Sequence, residues 1–114
     1  MLKVRQRLRK NTDFSRVYKN GKTLSTKLFF IKTAKNDLKN TRFGVVLSNK
    51  VIKKAVQRNK KKRQIRNALL SVAKQTQVGY DVVICVKPDI ALTSFAEIKK
   101  EITQALIKIH FLKN

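Results

Sequence analysis

Between Ala55 and Arg66 the chain reads Ala-Val-Gln-Arg-Asn-Lys-Lys-Lys-Arg-Gln-Ile-Arg, and the chemistry such residues can perform is the binding of phosphate. At about 100° per residue on a helix, Arg58, Asn59, Lys62, Arg63 and Arg66 fall at i, i+1, i+4, i+5 and i+8 and form one contiguous stripe. Nine cations and no acid lie between Lys50 and Arg66, so like charges one turn apart oppose the helix unless an anionic partner relieves them. A run of cations is ordinarily a solvated face, but such faces intersperse Glu for i,i+4 pairing, and here there is none. Asn59 is a further oddity, because propensity alone gives no reason for it. Bond-breaking chemistry has no comparable pattern. The lone Cys85 and lone His110 have no evident triad, and no paired carboxylates stand at ligand spacing. Cys85, between Ile84 and Val86, reads as core, and His110, beside Ile109 and Phe111, as structural.

Charge elsewhere agrees with a polyanionic partner. The 114 residues carry 28 Lys plus Arg against 6 Asp plus Glu, a formal net charge of +22, which repels itself in the compact state unless a partner neutralises it. The acids are Asp13, Asp37, Asp81, Asp89, Glu97 and Glu101, so Leu38 to Tyr80 has no negative side chain. Nucleic acid is the leading partner class and an anionic membrane the second. No run approaches the roughly 20 apolar residues of a membrane span, and no amphipathic helix with a large aromatic or leucine face appears, so a membrane partner is not expected. A single cysteine excludes an internal disulfide and a thiolate zinc site and fits a cytoplasmic location. The opening MLKVRQRLRKN lacks the apolar stretch of roughly 7 to 15 residues that a signal peptide needs. Residues 1–10 read as a basic arm on one domain spanning 1–114, since 3 Gly and 1 Pro supply no linker to divide it.

The elements that must position the stripe follow from periodicity. Asn11 to Tyr18 predicts a short helix, with Thr12 as capping residue, Asp13 favoured by the helix dipole, and Asn20-Gly21 as its end. Leu24 to Ala34 reads as strand, with Phe29 and Ile31 pointing one way and Phe30 and Lys32 the other. Arg42 to Ser48 is a second strand, and the short loop KNDLKN between the two suggests an antiparallel hairpin; Gly44 marks a bulge or a close approach. Ile52 to Lys74 predicts the longest helix, with Ile65, Ala68, Leu69 and Val72 at helical spacing to the side of the cationic stripe. A turn at Gly79 leads into a central β-branched strand, Asp81 to Val86, which stops at Pro88. Thr93 or Ser94 caps a last helix with Glu97 near a capping-box position, and Phe95, Ile98, Ile102, Ala105, Leu106 and Ile109 form its apolar stripe. The order α-β-β-β-α-β-α describes an α/β (α+β) two-layer sandwich with a mixed four-stranded sheet.

The run AVQRNKKKRQIRNAL, with LRKNTDFSRVYKNG near the start, resembles the signature of the bacterial ribonuclease P protein component, whose motif helix begins Ala-Val-x-Arg-Asn-Arg-x-Lys-Arg. The resemblance covers essentially the whole chain in element order and length. It departs at Lys60, where the family usually has Arg and its planar fork, and at Lys53 and Lys54, where smaller or uncharged residues are common. The resemblance implies a ribosomal-protein-like fold with a left-handed crossover between parallel strands, against the usual rule. It implies a protein that breaks no bond itself but assists a catalytic RNA in removing the 5′ leader of precursor tRNA, with magnesium held mainly by that RNA and no obligate protein partner. Residues carried over as contacts to the catalytic RNA are Arg58, Asn59, Lys60, Lys62, Arg63 and Arg66. Those carried over to a cleft for the single-stranded leader are Phe14, Tyr18, Phe30 and Lys32, whose aromatic faces suit unpaired bases. Read from the residues alone, Phe14 and Tyr18 serve equally as the packing face of the first helix. An RNA-packing protein of ribosomal type shares the charge and size, and the motif separates the two. A DNA-binding regulator would need a two-helix turn and half-site symmetry, which are not seen.

Overall fold

A computed structural model describes residues 7–72 and 79–108 of the chain. The elements are α1 (Asn11–Asn20), β1 (Lys22–Ser25), β2 (Phe29–Lys35), β3 (Arg42–Val46), α2 (Ala55–Val72), β4 (Tyr80–Val86), a 3-10 helix (Pro88–Leu92) and α3 (Phe95–Lys108). The strands form one mixed sheet in the order β1-β2-β4-β3, with β4 antiparallel to β2 and parallel to β3. The predicted class and element order hold, and β4 is central as expected.

The expected hairpin between β2 and β3 does not form. β4 sits between them because Val82, Val83 and Ile84 are fully buried, and a strand apolar on both faces needs a neighbour on either side. The stretch read as one strand from Leu24 to Ala34 is two, and β1 pairs with β2 as the antiparallel hairpin instead. Its turn is closed by Thr26, whose backbone N–H donates to the Phe29 carbonyl at 2.8 Å and whose Oγ1 accepts from the Phe29 N–H at 3.0 Å. The side-chain alternation is as predicted, since Phe29 and Ile31 are buried while Phe30 is 44% exposed.

The main core lies between one sheet face and α2 with α3. Phe29, Ile31, Phe43, Val82 and Ile84 of the sheet meet Ile65 and Leu69 of α2 and Ile98, Ile102 and Leu106 of α3. On the opposite face α1 covers part of the sheet through a smaller cluster of Leu8, Val17 and Val83, with Phe14, Val46 and Cys85 packed against it. Gly44 is the close approach that binds α1 there, because a Cβ at that position would lie 2.6 Å from two ring carbons of Phe14. Gly79 turns the chain into β4 at φ 85°, a left-handed conformation that costs glycine nothing.

Helix ends differ in detail from expectation. α1 begins at Asn11, and the Lys10 carbonyl accepts the first bonds, from the N–H groups of Asp13 and Phe14; Thr12 is inside the helix and not its cap. α2 starts at Ala55, and Ile52 is a buried loop residue. Ser94 caps α3, its Oγ accepting from the Glu97 N–H at 3.2 Å. Phe95 has the angular position of the α3 stripe, but as first residue it has no preceding turn beside it and stays 41% exposed. Lys74, Ile109 and His110 lie outside the described residues.

Candidate nucleic-acid interface

α2 does two jobs on two faces. Ile65, Ala68, Leu69 and Val72 are its buried residues, and the cationic stripe runs along the flank of that apolar strip. Arg58, Lys62 and Arg66 border the core and are half-buried, while Asn59, Lys60 and Arg63 are exposed. The Arg58 guanidinium also donates from Nη1 to the carbonyls of Ile52 and Lys53, both at 3.1 Å, so it fixes the loop that feeds the helix. Lys61 lies off the stripe, and its ammonium donates to the Thr93 carbonyl. Burial, and then the charge of Lys60, lowers the Lys61 pKa.

The described end of the basic arm reaches the same region. Arg7 forms a parallel bridge with Phe43 on the edge of β3, and the Leu8 N–H donates to the Phe43 carbonyl at 2.8 Å. Burial first, and then the charge of Arg7, pushes the Arg66 guanidinium below its ordinary pKa. Arg7 thus adds its positive charge to the field around the Arg66 end of the stripe.

Tyr18, Phe30 and Lys32, carried over above as leader contacts, gather on the opposite face of the sheet. Phe30 stands in register with Cys85, and Lys32 with Val83. The Tyr18 hydroxyl lies 3.8 Å from the Cys85 Sγ, and Lys32 Nζ is 5.3 Å from the centre of the Tyr18 ring. Tyr18 and Phe30 are 43% and 44% exposed. Desolvation, reinforced by Cys85, pushes the Tyr18 hydroxyl up to about 12. Phe14 is different in kind: its ring is half-buried against Gly44 in the cluster that anchors α1.

Three participants were not foreseen. Lys87 carries its ammonium 4.2 Å above the Phe30 ring while donating to the Ser25 hydroxyl at 2.7 Å and to the Thr26 carbonyl. Cys85, expected in the core, is part-exposed beside Tyr18. Beneath the end of α1, buried Asp81 accepts from Arg42 Nε at 2.8 Å and Nη2 at 2.7 Å, from Asn36 at 2.8 Å, and from Arg16. Arg42 reaches on to Asp13 at 3.3 Å, and its hydrogen bond to Asp81 raises its pKa against the opposing effect of burial. This network ties α1 to β3 and β4. A lone Asp opening an apolar strand was its signal. Among the described residues no group of three or more His, Cys, Asp or Glu is placed to hold a metal ion, and no helix is long and apolar enough to cross a membrane.

Comparison with known proteins agrees along the chain's length. Residues 2–110 match the family model described as Ribonuclease P. A protein from Cyanothece sp. named ribonuclease P protein component is 32% identical, covering 98% of this chain and 98% of its own. One of the same name from Staphylococcus epidermidis is 35% identical, covering 88% and 86%. The solved structure of the Staphylococcus aureus RNase P protein superposes with a TM-score of 0.85 at 28% identity, covering 95% of this chain and 98% of that one. The motif helix, the four-stranded mixed sheet and the end-to-end match together assign this chain to the ribonuclease P protein family.

Proposed function

We propose that the chain is the protein subunit of a bacterial ribonuclease P, binding the catalytic RNA along α2 and the 5′ leader of precursor tRNA in the cleft between α1 and the sheet. The observation that carries this is the α2 face, where Arg58, Asn59, Lys62, Arg63 and Arg66 follow one flank of a helix whose adjoining face is core, with Lys60 exposed on the far flank. The density of cation is more than the helix needs, and phosphate is the ligand that relieves it. The cleft is supported by two part-exposed rings each with an ammonium above it, a surface suited to unpaired bases and their phosphates. In this reading the RNA carries the chemistry and holds the magnesium, and the protein lends affinity by fixing both RNAs. It works in the cytoplasm, without a membrane or an obligate protein partner. Binding of the purified chain to a bacterial ribonuclease P RNA, in competition with a ribosomal RNA fragment of equal length, tests the reading. Preference for the former is expected, and equal binding would indicate a general RNA-packing protein.

A further inference from the structure

On the far side of α2 from the Arg66 flank, the N-terminal half of the helix and the 3-10 helix enclose a groove of about 660 Å³, within the roughly 300–1,000 Å³ range of sites for small ligands. Val51, Ile52, Ala91 and Leu92 give it apolar walls, and Gln57 and Gln64 contribute amides. Lys53, Lys54, Lys60 and Lys61 complete the lining, with no acid among them. Lys61, donating to the Thr93 carbonyl, braces the two elements that form the groove.

Two features are unexplained by folding. Leu92 is 99% exposed at the mouth. The Oε1 of Gln64 is buried with no hydrogen-bond partner, the one such side-chain atom among the described residues, and an unmet buried acceptor costs about 1–3 kcal/mol. An acidic peptide would satisfy the lysines and could offer a backbone N–H to Oε1, but its carboxylate side chains bring no flat apolar face to the walls of Ala91 and Leu92. An unpaired nucleotide satisfies all three features: every base carries an N–H donor on its edge, its face suits apolar walls, and its flanking phosphates suit the lysines.

We propose that this groove holds one unpaired, extruded nucleotide of the RNA partner, with its base against Leu92 and Ala91, a base N–H donating to Gln64 Oε1, and its phosphates among Lys53, Lys54 and Lys60. The site deepens the subunit reading above and rests on it for the identity of the RNA. It also gives Lys53 and Lys54 a role.

The test has two arms, both on the full chain. In the first, proton–nitrogen NMR spectra are followed while a short unstructured oligoribonucleotide, or a polyglutamate peptide of equal charge, is added. The oligoribonucleotide should shift the Gln64 side-chain amide and the Leu92 backbone amide, and the peptide should leave the Gln64 amide in place. In the second, the chain is assembled with a bacterial ribonuclease P RNA, and Gln64→Leu and Leu92→Glu are compared with wild type by affinity and by base-resolved chemical probing. Gln64→Leu should be at least as thermally stable as wild type, because it removes an unmet acceptor, yet bind roughly 3–10-fold more weakly and expose one base that wild type protects. Leu92→Glu should expose the same base. Unchanged affinity and protection in Gln64→Leu would overturn the groove while leaving the subunit reading intact. Failure of the catalytic RNA to bind wild type, with the oligoribonucleotide still shifting Gln64, would sink the subunit reading and keep the groove. A peptide shifting Gln64 where the oligoribonucleotide does not would make the groove a protein-docking surface and overturn the proposal.

Discussion

At the scale of the residue, the stripe contains side chains of two kinds. Arg63 is exposed and Arg58 is tied to two backbone carbonyls, so their alanine variants should separate. Arg63→Ala should weaken RNA binding and lower the log–log salt slope by roughly 0.7–0.9 with unchanged thermal stability. Arg58→Ala should in addition cost about 1–2 kcal/mol of folding stability through the lost carbonyl bonds, and chemical denaturation of both variants would check this. The aromatic pair on α1 separates in the same way. Tyr18→Leu should reduce affinity for precursor tRNA by roughly 1–3 kcal/mol without affecting mature tRNA. Phe14→Leu should first lower stability, because its ring fills the space over Gly44; equal losses on both tRNAs from Tyr18→Leu would remove that residue from the cleft. The Tyr18 pKa, raised from 10.0 to about 12, means that the fold favours the neutral phenol. That preference is complete below pH 10.0 and is lost as pH rises through about 12, so ultraviolet titration should show one phenol ionising late and its contribution to leader binding should not vary near neutral pH. The stripe was legible because helix geometry alone places Arg58 to Arg66 side by side. The seat of Phe14 on Gly44 and the place of Lys87 above Phe30 depend on residues distant in sequence, and the second duty of Arg58 on how the Ile52–Lys53 loop turns back on the helix, none of which side-chain spacing encodes.

At the scale of the element, the helices were read to within a few residues of their ends, but one predicted strand proved to be two, β1 and β2, and the sheet order was not read. A short loop between two strands argues for a hairpin, but the burial demand of Val82, Val83 and Ile84 on both faces outweighs it and draws β4 between β2 and β3. Near the start of the same strand stands Asp81, the point where α1, β3 and β4 are held together. Its side chain is fully buried, whereas those of Arg16 and Arg42 are 32% and 20% exposed. Asp81→Asn removes the charge that both arginines share and should cost about 3 kcal/mol, the lower end for a broken buried pair because the arginines are part-exposed. Hydrogen exchange should then show α1 loosening ahead of α2 and α3, which pack on the other face. Uniform loss of protection would mean that the network supports the whole fold and not the cleft wall.

For the whole molecule, the dominant quantity is the charge of +22, which was legible from composition and decides the physics of the free protein. Repulsion among cations opposes compaction, so sulfate or phosphate at modest concentration should raise the unfolding temperature more than chloride at the same ionic strength, as scanning calorimetry would show. An equal rise with chloride would reduce the effect to general screening. α2 and α1 pack on opposite faces of one sheet, so the two RNA surfaces proposed above would lie on opposite sides of a single small domain. That arrangement is the central claim, and one assay addresses it directly: cleavage of a precursor tRNA by a bacterial ribonuclease P RNA at low magnesium, with and without this chain. No cleavage is expected from the protein alone, little from the RNA alone, and accurate removal of the 5′ leader when the two are combined, with the gain reduced in an Arg63→Ala, Arg66→Ala double variant. Cleavage by the RNA-free chain, or no gain on combining it with the RNA, would contradict that claim.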